Sequence, residues 1–154
     1  MADIVTNPKA HRDYHILETI EAGIALKGTE VKALRAGQAQ LTEAYATVEN
    51  DELWLCNAHI PEYSHGNVHN HDPRARRKLL VHKAQIRKLA EQARLKGHAL
   101  IPLSFYWKNG KVKVALAVGK GKTQIDKREE LKRRQIEREM QQATRRRFAD
   151  PQGR

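Results

Sequence analysis

The chain has a single cysteine, Cys56, among 154 residues. That excludes an internal disulfide, a cysteine-built zinc knuckle and a C-x-x-C redox pair, and it fits a reducing cytoplasm. No apolar run reaches the roughly 18 residues a membrane helix needs. The N-terminus lacks the basic-then-apolar signature of a secretory leader, so no membrane attachment is expected. Catalytic signatures are also missing: there is no Gly-x-Ser-x-Gly, Walker loop or His-Glu-x-x-His. Gly119-Lys120-Gly121-Lys122 resembles half a phosphate loop but has the spacing of neither nucleotide fingerprint. Cys56 falls on the inferred apolar face of a strand, where thiols are inert. Neither an enzyme nor a bound cofactor is expected.

Acidic residues are scarce relative to basic ones. Lys and Arg number 29 against 18 Asp and Glu, a formal net charge of +11 with a pI near 10.0. A chain this basic meets phosphate, on nucleic acid or on an anionic membrane face. The charge is uneven: residues 1–120 carry a net +6, whereas residues 121–154 carry +5 in under a quarter of the length.

The apolar pattern fits one domain. Ile16, Ile20, Ala22, Ile24 and Leu26 recur with period two, predicting a half-buried strand bent or interrupted near Gly23. GTEVKALRAG predicts a short helix, capped by Thr29 and ended by Gly37. Ala44–Val48 and Leu53–Ile60 predict a hairpin with Trp54, Cys56, Ala58 and Ile60 on one face. KAQIRKLAEQARLKG places Ile86, Leu89, Ala90 and Ala93 on one helix face, closed by Gly97. LIPLSFYWKNGKVKVALAVG holds Asn109-Gly110, the favoured two-residue type I′ turn. That turn predicts the pairs Trp107–Val112, Phe105–Val114, Leu103–Leu116 and Ile101–Val118 on the apolar face. Tyr106–Lys113 and Lys108–Lys111 fall on the other. Nothing in the fold calls for two lysines opposite one another, and an anionic partner would relieve them. Together these elements predict a mainly β fold: a small OB-like closed antiparallel β-barrel over residues 1–120, with two or three short helices. Residues 121–154 read as a basic tail, rich in helix formers but with no wide apolar stripe. It is expected to be disordered when free and helical when bound to RNA.

Two kinds of chemistry compete for the polar residues. His65, His69, His71 and Asp72, with His59 and His82 nearby, could ligate a metal. Gly66, Asn67, Asn70 and Pro73, however, mark an irregular loop that enforces no ligand geometry, and its histidines are expected to contact solvent, core or RNA. Nucleic-acid binding has cumulative support: Lys32 and Arg35 on the short helix, Arg74, Arg76, Arg77 and Lys78 after the histidine loop, Lys108, Lys111 and Lys113 with Tyr106 on the hairpin, and the tail. A ribosomal or ribosome-assembly protein binding structured rRNA is the alternative within this class.

Three stretches narrow the choice. EAGIALKGTEVKALRAG (Glu21–Gly37), NHDPRARRKLLVHK (Asn70–Lys83) and YWKNGKVKVALAVGKGK followed by DKRE (Tyr106–Glu129) resemble the SsrA-binding protein (small protein B) family in order and spacing. The resemblance implies a non-enzymatic adaptor that binds the tRNA-like domain of transfer-messenger RNA. With elongation factor Tu and GTP it would deliver that RNA to stalled ribosomes for trans-translation, acting in the cytoplasm as a monomer. Position by position, it implies RNA contacts at Glu21, Leu80 and Lys113. It also implies that Gly121 and Lys122, then Asp126, Lys127 and Arg128, meet the small-subunit decoding centre, with the tail a helix in the empty mRNA channel. Two positions depart from the family pattern: Thr123 stands for a second lysine, and Ile125 for an aromatic or histidine.

Overall fold

The structure, a computed structural model, describes residues 3–63 and 70–149; within the last helix, residues 124–127, 130 and 145–149 are described as backbone only. Seven strands form one antiparallel sheet: β1 (Asp3–Thr6), β2 (Tyr14–Ile24), β3 (Tyr45–Glu49), β4 (Glu52–Cys56), β5 (Arg77–Leu80), β6 (His98–Lys108) and β7 (Lys111–Gly121). Their order is β1-β6-β3-β4-β5-β2-β7, and β6 pairs with β7 as well. Helices α1 (Pro8–Asp13), α2 (Gly28–Arg35) and α3 (Lys83–Ala93) lie between strands, and α4 (Gln124–Ala149) follows β7. Among the described residues no helix is long and apolar enough to cross a membrane.

Both tight turns follow from residue type. Asn50 and Asp51 join β3 to β4, and Asn109 and Gly110 join β6 to β7, all four at positive φ. Asn, Asp and Gly tolerate that conformation, and its twist matches the flanking strands. The predicted β6–β7 register holds near the turn, at Trp107–Val112, Tyr106–Lys113 and Phe105–Val114, and then fails. Ser104 pairs with Ala115 and Pro102 with Leu116, so Leu103 is an extra residue on β6. The predicted pairs Leu103–Leu116 and Ile101–Val118 become Pro102–Leu116 and Leu100–Val118. Pro102 has no N–H to donate to the ladder, which favours a bulge beside it. The Leu103 carbonyl is taken instead by the Asn7 N–H at 2.8 Å, and the Asn7 side chain donates to the Pro102 and Leu41 carbonyls. Sequence patterning misses β1, α1 and this tie.

The core packs against the sheet, and in it Leu34, Leu53, Leu55, Leu79, Leu100, Phe105, Val114 and Leu116 are essentially inaccessible. Each large side chain so buried contributes about 1.5–3 kcal/mol. Three further expectations need correction. On β4 the inward residues are Leu53 and Leu55, and Trp54 faces outward; the parity changes only at Asn57, whose positive φ lets Ala58 and Ile60 turn in. β2 runs unbroken through Gly23, and its irregularity lies at Leu17 instead. The residue capping α2 is Lys27 and not Thr29, with Glu30 closing back onto the Lys27 N–H at 2.8 Å.

The chain divides into two compact units, Met1–Gly121 and Lys122–Arg154. In the second, α4 is a helix where patterning predicts disorder in the free protein. Its interior has neither Gly nor Pro, and side-chain bonds such as Gln135 to Glu139 and Thr144 to the Met140 carbonyl span one turn. Among its described residues the apolar Leu131, Ile136 and Met140 are all more than half exposed, so none of these three anchors the helix by burial.

Candidate nucleic-acid interface

β2 lies between β5 and β7, and at Gly23 the three strands form one row: Leu80 pairs with Gly23 on one side and Lys113 on the other. Glu21 stands two residues earlier on β2, hence on the same face. The three side chains singled out by the resemblance therefore line one open groove of about 330 Å³. Gly23 forms its floor, since a Cβ there would meet the Leu80 Cβ at 3.3 Å. Val81, His82 and Gln85, at the entry to α3, close one end. Leu80 is the last residue of β5 and is 52% exposed. An exposed leucine beside a carboxylate and an ammonium suits a base that is out of its stack. An adjoining hollow is lined by Ile24, Leu26, Val31, Trp107 and Lys111.

Glu21 is held from β6, across the intervening β7. The Tyr106 hydroxyl donates to Oε2 at 2.5 Å, and the Lys108 ammonium lies 3.1 and 3.2 Å from the two oxygens. The Tyr106 hydrogen bond, followed by that from Lys108, holds the Glu21 carboxyl below the usual glutamate range. Burial, with Glu21 beside it, pushes the Tyr106 phenol well above its ordinary value, so it stays a donor. Lys108 does stand opposite Lys111. The relief expected from an outside anion comes for Lys108 from Glu21, which leaves Lys111 and Lys113 as the cations beside the groove.

The other predicted cations fall in different settings. Arg77 is not on the surface: it is 3% exposed and ion-paired with the buried Glu30, and its guanidinium also donates to the Ala58 carbonyl at 2.7 Å and the Pro73 carbonyl at 3.0 Å. Its period-two neighbour Leu79 is buried as well, so strand parity turns Arg77 inward. Arg76 faces outward, stacked over Trp54 at 4.8 Å and bonded to Glu49 at 2.8 Å, which raises its pKa. Lys32 and Arg35 lie on α2, both exposed, with the Lys32 ammonium over the Tyr63 ring at 5.5 Å. Gly121 ends β7, bonded through its N–H to the Gly97 carbonyl at 2.9 Å. Lys122 follows, and Arg128 is exposed on α4. The side chains of Ile125, Asp126 and Lys127 lie outside the described residues.

The histidine loop does not behave as one surface. His71 is buried, with Nε2 donating to the Ile60 carbonyl and Nδ1 accepting from the Thr29 hydroxyl, both at 2.8 Å. Both ring nitrogens are occupied, so His71 faces the core and not RNA. His65 and His69 lie outside the described residues. Patterning also misses Gly23, His82 and Gln85 as groove residues. Their signal is the row opposite Leu80 and Lys113, which appears only when β2 is threaded between two strands distant in sequence.

An antiparallel β body with a groove of clamped carboxylate, exposed leucine and lysine, followed by a strongly basic segment, is a small polyanion-binding β protein. The SmpB protein family model matches residues 4–146. The SsrA-binding protein of Mycolicibacterium paratuberculosis is 54% identical over 137 residues, covering 89% of this chain and 81% of that one. That of Thermobifida fusca is 50% identical over 144 residues, covering 94% and 90%. A solved chain described as "tmRNA-SmpB: a journey to the center of the bacterial ribosome" superposes with a TM-score of 0.68 at 46% identity, over 83% of this chain and 94% of that one. The chain belongs to the SmpB family.

Proposed function

We propose that this chain is an RNA-binding adaptor of trans-translation. Its β body holds the tRNA-like domain of transfer-messenger RNA, and its basic tail serves the stalled ribosome. One observation carries the reading: Glu21, Leu80 and Lys113 converge from three strands onto one groove. The carboxylate accepts from a base amino group, the leucine packs on the base, and the lysine meets phosphate. Lys111, Arg76, Lys32 and Arg35 add charge around that contact, whereas Arg77 supports the fold beneath it. The pairing of β6 with β3 on one side and β7 on the other, with β2 joining β7 to β5, supports a closed OB-like barrel.

In the tail, Gly121, Lys122, Asp126, Lys127 and Arg128 address the decoding centre, and α4 occupies the mRNA channel when it is vacant. Bound mRNA would exclude the helix, which makes the tail a test of vacancy. The adaptor acts as a monomer in the cytoplasm, enters the ribosome with elongation factor Tu–GTP and catalyses no reaction itself. The deciding experiment titrates the protein against the tRNA-like domain and an unrelated folded RNA of equal length, from about 50 to 300 mM salt. Purely electrostatic binding loses decades of affinity across such a range and treats both RNAs alike. Retention of tight binding by the cognate RNA alone is the expected result; coincident curves would refute the reading.

A further inference from the structure

The contacts that hold Glu21 do not come from its own strand. Tyr106 and Lys108 belong to β6, and β7 stands between them and β2. The reach is open because the β7 residue facing Glu21 is Ala115, too short to obstruct it. A carboxylate offers about four lone-pair positions. Tyr106 takes one on Oε2, and the Lys108 ammonium spans both oxygens. That arrangement fixes the plane of the carboxylate and leaves roughly one position for an incoming donor. A free glutamate side chain would instead sample several rotamers, and binding would have to order it.

We propose that Tyr106 is a positioning residue for RNA recognition: its hydroxyl locks Glu21 into one orientation as an ionised acceptor for a base amino group. The inference rests on the reading that Glu21 faces RNA, and the experiment separates the failure of one from the failure of the other. Tyr106 itself needs no contact with RNA.

The full-length chain is compared as wild type, Tyr106→Phe, Glu21→Gln and the double variant, each titrated against the tRNA-like domain of transfer-messenger RNA. Removing a hydrogen bond to a charged group lowers affinity by about tenfold, and that loss is expected for Tyr106→Phe. Residues acting as a unit are non-additive, so the double variant should bind no more weakly than Glu21→Gln alone. A second readout is the acid limb of the affinity profile. Loss of the phenol donor returns the Glu21 carboxyl towards its usual range, so affinity in Tyr106→Phe should fail at a higher pH than in wild type. The other charged groups near this carboxylate are Lys108 on β6, Lys113 on β7, His82 before α3 and Asp3 on β1 beside Tyr106. All are identical in both proteins, so they cancel in the comparison.

Additive losses with an unmoved acid limb would overturn the positioning role while leaving Glu21 as an RNA contact. Normal binding by Glu21→Gln would overturn the RNA-facing reading and the positioning role with it. Should Tyr106→Phe unfold, Lys108→Gln removes the second hold on the same carboxylate. It should then show the same non-additivity with Glu21→Gln, and additivity would again refute the lock.

Discussion

Arg77 and Glu30, 47 residues apart in sequence, form an ion pair inside the protein with 2% and 5% of their side-chain surfaces exposed. The pair ties β5 to α2, and each partner is bonded further: Glu30 to the Lys27 N–H, Arg77 to carbonyls of residues 58 and 73. A buried charge left alone is costly. Arg77→Met is therefore expected to destabilise the protein by about 3–5 kcal/mol. The double variant Glu30→Leu/Arg77→Met should recover much of that loss, as read from urea unfolding midpoints. A stable Arg77→Met protein with weakened RNA binding would mean that Arg77 faces RNA after all.

Gly119 has no room for a side chain. A Cβ there would stand 3.0 Å from the Tyr14 Cβ and 3.2 Å from the Ile101 Cδ1. Gly119→Ala should lower stability by about 1–3 kcal/mol, the usual cost of overpacking, with a matching fall in the thermal midpoint.

Gly23 is the opposite case. Its added Cβ would press chiefly on the exposed Leu80 side chain, which can move. Stability should change by less than about 1 kcal/mol, but the groove floor would rise. On the proposed reading, affinity for the tRNA-like domain should drop by about tenfold, a step of about 1.4 kcal/mol. Unchanged affinity would place the RNA contact elsewhere.

Two carboxylates are held below the usual glutamate range: Glu21 by Tyr106 and Lys108, and Glu18 by Gln92 and Lys88. A carboxyl depressed on folding contributes stability that is fully present above its unfolded pKa and is lost as pH falls through the folded value. The thermal midpoint should thus be insensitive to Glu21→Gln below that window and show its largest difference above it. Scans at a series of acidic pH values check the sign.

Truncation tests the division between body and tail. A cut after Gly119 would remove the Lys120 partner of His98 and the Gly121 N–H bond to Gly97, fraying β7. A cut after Gly121 spares both. That shortened protein should fold and bind the tRNA-like domain normally but support no peptide tagging; lost RNA binding would contradict the proposed roles.

How much of the fold and the groove is legible in the sequence depends on range. The Asn109-Gly110 turn and the face of α3 carrying Ile86 and Leu89 are local, and residue type settles them. Patterning puts Trp54 on the wrong face because Leu53, Trp54, Leu55 and Cys56 are apolar on both sides of the strand, so period two cannot choose between them. Arg77 looks like a surface cation in the sequence because its compensating acid lies 47 positions away. The groove residues Glu21, Leu80 and Lys113 are indicated by resemblance. Their convergence needs the strand order, and nothing in a linear pattern says that β2 separates β5 from β7.

The extra residue at Leu103 works as a phase shifter on the β6–β7 hairpin. β7 keeps its even-numbered residues inward from Val112 to Val118, while β6 turns odd residues in near the tip and even ones in near the base. The tip, with Tyr106 and Lys108, is thereby uncoupled from the packing that Leu100 and Pro102 impose lower down. Loss of that one neutral residue, invisible in charge or composition, would rotate either the recognition face or the core out of place.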